Sequence, residues 1–112
     1  MQARTNIDAE GKVDIVVASG ASLTAEVNKY YRYDTAVSTL AITLPVPADN
    51  THLSSIIFAF TTDSTANITF TSTATIKYKE GFEIESGAEY EINAIYNGSY
   101  WAIATIKLES AV

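Results

Sequence analysis

The residues able to do chemistry in this 112-residue chain are few and scattered. Its one histidine, His52, stands just after Asp49-Asn50-Thr51 at the mouth of a strand-like run. A metal centre needs several His, Cys or carboxylate ligands converging, and a hydrolytic triad needs a nucleophile beside its base. A lone loop histidine is expected to be a polar surface residue. The glutamates Glu80, Glu83, Glu85, Glu89 and Glu91 raise the prospect of paired carboxylates or calcium. Glu83 and Glu85 alternate with core-type residues, as do Glu89 and Glu91, so both pairs fit solvent-facing strand positions. A calcium loop would bring closely spaced Asp and Asn with glycine, and a glycosidase would need two carboxylates across a cleft. No G-x-S-x-G, P-loop or H-E-x-x-H is present. The chain is expected to be no enzyme, with no catalytic residue, metal or cofactor.

Binding chemistry is left to the aromatics. "YNGSYWAIA", Tyr96 to Ala104, sets tyrosines around an Asn-Gly turn with the single tryptophan close behind. A ring can stack on a sugar or anchor a core. Trp101 is assigned to the core, and Tyr30, Tyr96 and Tyr100 are the candidates for contact with a glycan or a partner. The row Thr69, Thr71, Thr73, Thr75 would suit ice only if repeated at a fixed period, and it occurs once.

The elements that must position these residues are strands. "VDIVVA" puts Val13, Ile15 and Val17 on one side, and "VSTLAITL" puts Leu40, Ile42 and Leu44 on one side. "VNKYYRYD" sets Val27, Tyr31 and Tyr33 opposite Tyr30, Arg32 and Asp34. Ile56, Phe58 and Phe60 share a face; Ile68, Phe70, Ile76 and Tyr78 point inward, as do Phe82 and Ile84 in "FEIES". Alternation of this kind marks strands with one buried face. Pro45 and Pro47 end one strand, and Asp63-Ser64 is expected to turn the chain.

Asn97-Gly98 reads as a two-residue type I′ hairpin turn. That loop would face Tyr96 with Ser99 and set Ala94 opposite Trp101, Ile92 opposite Ile103 and Tyr90 opposite Thr105. The outward positions of the last strand are then Tyr100, Ala102, Ala104 and Ile106, small enough in part for close approach by a neighbour. That strand is expected to lie at a sheet edge open to pairing.

The expected fold is all-β: a single antiparallel β-sandwich, jelly-roll-like, or a small barrel of about eight or nine short strands. Residues 1–12 are expected to form a flexible N-terminal arm with a turn at "AEGK", and 13–112 the β-sandwich domain.

A formal net charge of −6 opposes a nucleic-acid or anionic-membrane partner. There is no cysteine, hence no disulfide or thiolate metal site. The first twenty residues lack the basic start and apolar core of a secretory signal, and no run approaches the ~20 apolar residues of a membrane helix.

The run "FEIESGAEYEINAIYNGSYWAIA" resembles a pattern in small tailed-phage and prophage virion proteins, among them fibre domains and capsid-bound accessory proteins. There a strand like "FEI", a Gly turn, a "YEI" strand, an Asn-Gly turn and a closing aromatic strand follow one another. "YYRYDTAVSTLAITLP" is similar to the strand that opens such domains. The resemblance implies a non-enzymatic virion part made in the bacterial host cytoplasm. Such a part would be a capsid decoration or auxiliary protein, or a fibre-associated subunit, often a homotrimer. Its partners would be its own copies, major capsid or tail subunits, and in some cases a host glycan. The alternative is a carbohydrate-binding, host-receptor module.

Overall fold

Period-two alternation needs an extended backbone, and extended backbone is what the chain forms. The computed structural model describes residues 13–109, and among these there is no helix. The strands are β1 (Asp14–Ala18), β2 (Ser22–Thr24), β3 (Lys29–Tyr33), β4 (Val37–Thr43), β5 (Ser54–Thr71), β6 (Thr75–Tyr78), β7 (Glu89–Tyr96) and β8 (Tyr100–Leu108). They make one mixed sheet. Its main limb runs β1-β3-β5-β7-β8-β6, and a second limb, β2-β4, joins on β5. The arm expected over residues 1–12 lies outside the described residues.

Strand direction departs from expectation. Only β5/β7 and β7/β8 are antiparallel; β1/β3, β3/β5, β2/β4, β4/β5 and β6/β8 are parallel. The antiparallel, jelly-roll-like expectation is corrected accordingly. The cause is the route of the chain, which visits the main limb with β1, the second limb with β2, the main limb with β3 and the second with β4. Each return trip lands parallel to the last visit. Parallel neighbours need a long crossover, commonly a helix. For β1/β3 and β2/β4 a strand of the other limb fills that role, and for β6/β8 it is β7 of the same limb.

β5 belongs to both limbs. Its first half pairs with β3 and β7, and its second half with β4. The expected turn at Asp63-Ser64 is an excursion within this strand: Val37 pairs with Thr62 and Thr39 with Asn67, leaving 63–66 unopposed. Thr62, buried at the bend, donates its hydroxyl to the Glu85 carbonyl at 2.7 Å and accepts from the Ala88 amide at 3.1 Å. Asp63 accepts from the Ser38 hydroxyl and the Thr65 amide, which holds its carboxyl below the usual range.

The core draws on both limbs: Leu40, Ile42 and Leu44 with Ile56, Phe58, Phe60, Ile92, Trp101 and Ile103. Tyr31 stacks on Phe58 with centroids 5.7 Å apart. Each such large side chain contributes roughly 1.5–3 kcal/mol by leaving water. Ile68 and Ile76 are half-buried against this core and Phe70 is buried in it. One expected inward residue differs. Tyr78 is 48% exposed, its ring resting on Phe82 at 4.5 Å. Phe82 and Ile84 are half-buried and Glu83 and Glu85 exposed, but this segment is a loop without ladder partners.

The final hairpin closes one residue later than expected. Asn97 N–H donates to the Tyr100 carbonyl, so Gly98 and Ser99 are the central residues. Gly98 has φ +95, as a type II′ turn requires of its first central residue, and Asn97 Oδ1 accepts from the Ser99 and Tyr100 amides. The register becomes Tyr96 with Trp101, Ala94 with Ile103, Ile92 with Thr105 and Tyr90 with Lys107. That is a slip of two, which preserves faces because side chains alternate with period two. Trp101 and Ile103 therefore stay in the core, fully buried. The last strand is not an open edge over its first half, since β6 pairs with Tyr100–Ile103.

A candidate interaction face

The main limb has a core side and an outer side, and the outer side carries several exposed apolar residues. Registers align its rows across the strands. Val17, Arg32, Ala59, Glu91 and Ile106 form one row, and Ile15, Tyr30, Ile57, Asn93 and Ala104 the next. Ser55, Ile95 and Ala102 continue it toward the hairpin turn. Ile15, at 63% exposed, and Val17, at 58%, stand out most, with Ile95 and Ile106 also exposed. The apolar side of β1 thus faces outward, and it is Val16 and Ala18 that pack on the core. Across this face the apolar residues of β1, β5 and β8 alternate with Tyr30 and Arg32 on β3 and with Glu91 and Asn93 on β7. Exposed large apolar side chains gathered on one face mark a surface for interaction.

Two of the three candidate tyrosines lie on this face. Tyr30 is half-buried and donates its hydroxyl to Glu91 Oε2 at 2.5 Å. That bond, then burial, pushes the Tyr30 phenol up to about 12. The contact crosses β5 diagonally, tying β3 in the row of Ile57 to β7 in the row of Ala59. Tyr100 is half-buried beneath Lys77, whose Nζ sits 4.3 Å from the ring centroid. Tyr96 is elsewhere: it points to the core, 6% exposed, with its ring 5.4 Å from that of Trp101. Arg32 is exposed, with Nε 2.8 Å from Asp34 Oδ1, and the pair keeps its guanidinium charged.

Other groups with chemical capacity are dispersed. His52 is exposed and, among the described residues, meets only Asp49, at 2.9 Å, and the Thr51 hydroxyl. Among the described residues no three His, Cys, Asp or Glu gather as a metal site would require. Glu85 pairs with Lys107 at 2.9 Å, and Glu80, Glu83 and Glu89 are exposed. A hollow of about 470 Å³ opens between the β1–β2 and β3–β4 connections, lined by Ala18, Gly20, Ala21, Tyr33, Ala36 and Val37 among others. Its nearest ionisable groups are Asp34, already held by Arg32, and Tyr33, whose hydroxyl is buried without a hydrogen-bond partner among the described residues. Burial raises the Tyr33 phenol above its ordinary value.

Sequence reasoning picked out Tyr30 and Tyr100 and the outward alanines of β8. It missed Ile15, Val17, Ile57, Ala59 and Arg32 as parts of one surface. The available signal was apolar character on both sides of β1 and β5: in "DIVVA" both outward residues, Ile15 and Val17, are apolar, and in "SSIIFAF" Ile57 and Ala59 are apolar outward residues after Ser55. No protein family, curated protein or solved structure matched this chain in comparison.

Proposed function

We propose that the chain is a non-enzymatic structural subunit of a bacteriophage virion, a capsid decoration or fibre-associated protein that self-associates and binds the capsid or tail scaffold. The observation that carries this reading is the outer face of the main limb, where apolar and small side chains remain open to water although the core is complete. An assembly part needs such a surface and a catalyst does not. The virion context comes from the resemblance of "FEIESGAEYEINAIYNGSYWAIA" to tailed-phage domains. In this reading the two limbs close on their shared core as a sandwich, and the protein acts in a particle after synthesis in the bacterial cytoplasm.

The sugar-binding alternative is less well served. Tyr96 offers no ring to solvent. Tyr30 and Tyr100 stand three strands and four residues apart on the face, about 20 Å at ~4.8 Å per strand and ~3.3 Å per residue. One sugar cannot bridge them.

Density-gradient purification of phage particles from the producing cells, followed by mass spectrometry, tests the reading. The protein is expected in particles at a fixed ratio to the major capsid or tail subunit. Its absence from particles, together with saturable binding on a glycan array, overturns the reading in favour of a receptor module.

A further inference from the structure

We propose that the outer face of the main limb docks a second copy of this chain, face to face, about a two-fold axis running along β5. The proposal rests on the reading of the chain as a self-associating subunit, and adds which surface pairs and how.

The face has the same character outward from β5 in both directions. β5 supplies Ile57 and Ala59 at the centre. One strand away, in the row of Ala59, stand Arg32 on β3 and Glu91 on β7; Tyr30 and Asn93 flank Ile57 in the same manner. Two strands away are Ile15 and Val17 on β1, and Ala104 and Ile106 on β8. A two-fold axis along the central strand exchanges left and right. It lays Arg32 of one copy over Glu91 of the other, twice in each pair, with Val17 over Ile106 and Ile15 over Ala104. The two formal charges of these rows each meet their opposite, Arg32 alongside its own Asp34 and Glu91 alongside its own Tyr30. Tyr30 meets Asn93, and the apolar groups of β1 meet those of β8. A two-fold interface demands this self-complementarity, residue i meeting j while j meets i.

The dimensions agree. Packed sheets cross at about 30°. Arg32 and Glu91 lie one strand, ~4.8 Å, from the axis, so the crossing displaces each by only about 2.5 Å. Both side chains span that offset, and Ala59 and Ala104 leave room for close approach. Five strands by some six residues give a patch about 24 Å by about 20 Å, on the order of 500 Å² in projection. Side-chain relief adds to this. Stable pairs bury ~800 Å² per partner, near a tenth of a small protein's surface, and the accessible surface here is 7010 Å². The pairing is two-fold, unlike the three-fold assembly that the resemblance implies.

Sedimentation equilibrium of the full chain across a wide dilution series tests the pairing. The wild type is expected to be a reversible dimer. Arg32→Glu and Glu91→Arg alone should each weaken it by about tenfold or more, and the double reversal should restore it. Circular dichroism checks that each variant folds. An independent probe uses the absence of cysteine: Ala59→Cys, beside the axis, should cross-link between copies with a short bis-maleimide, and Thr39→Cys on β4 should not. A dimer indifferent to both reversals, or a trimer, overturns the pairing and leaves the structural-subunit reading standing. A monomer at every concentration overturns the pairing as well, and if the protein is also absent from particles that reading falls with it.

Discussion

The indole N–H of Trp101 donates a 2.9 Å hydrogen bond to the carbonyl of Pro45, so the deepest side chain of β8 holds the segment that leaves β4. One residue thus fills the core and ties the two limbs together. Trp101→Ala should cost about 3–5 kcal/mol, measured by denaturant unfolding. Trp101→Phe keeps most of the volume and leaves the Pro45 carbonyl without its donor, for a smaller loss of about 1–3 kcal/mol. Equal stability of Trp101→Phe and wild type would show that the hydrogen bond contributes nothing.

Gly98 is constrained twice. Its φ of +95 disfavours any side chain, and a Cβ built there would lie 2.5 Å from the Asn50 carbonyl oxygen. Gly98→Ala should therefore lose more than the ~1 kcal/mol that backbone strain alone entails. Gly81→Ala is the control, with φ +85 and open space around the new Cβ. Thermal melts should rank wild type above Gly81→Ala, and Gly81→Ala clearly above Gly98→Ala; the reverse order would mean that the Asn50 contact yields freely.

Tyr33 offers a stabilising change. Its buried hydroxyl lacks a partner among the described residues, and an unsatisfied polar group of this kind costs roughly 1–3 kcal/mol. Tyr33→Phe removes the group and keeps the ring. The melting temperature should rise, and a fall would reveal that the hydroxyl is hydrogen-bonded in solution.

The loop before β5 carries a pH signature. The Thr51 amide, then the Thr51 hydroxyl, then His52 hold the Asp49 carboxyl at about 2, against an ordinary value of 3.8. A depressed folded value means that the folded state favours the charged carboxylate. The stabilisation is complete above 3.8 and is lost as pH falls through about 2. Asp49→Asn should lower stability at neutral pH, and its difference from wild type should vanish in strong acid. An NMR titration of the Asp49 carboxyl with its midpoint at the ordinary value would contradict this.

The strand periods of β4, β7 and β8 were legible because a half-buried strand writes its inner face in every second residue. Leu40, Ile42 and Leu44 are buried as that rule requires, and so are Ile92, Trp101 and Ile103. Strand direction was not legible, since alternation reads the same along parallel and antiparallel neighbours. The hairpin register slipped because Asn97 serves as the side-chain cap of the turn and Gly98 takes the positive φ alone. The face of β1 was misread for a related reason. With apolar residues on both sides, Val13, Ile15 and Val17 could not be ranked against Val16 and Ala18 without knowing which side was covered. The candidate surface was only partly visible, because its rows join residues from β1, β3, β5, β7 and β8 that no short window contains.

β5, with its excursion at 63–66, is one strand shared by both limbs, and this couples the stability of the two limbs. β4 and β7 have no ladder hydrogen bond in common, yet each is held in place by a different half of β5. Neither limb can open fully without loosening the strand on which the other is built. Local openings that would expose half the core should thereby be merged into the global transition, and the slowest-exchanging amides of β4 and β7 are expected to share one protection free energy.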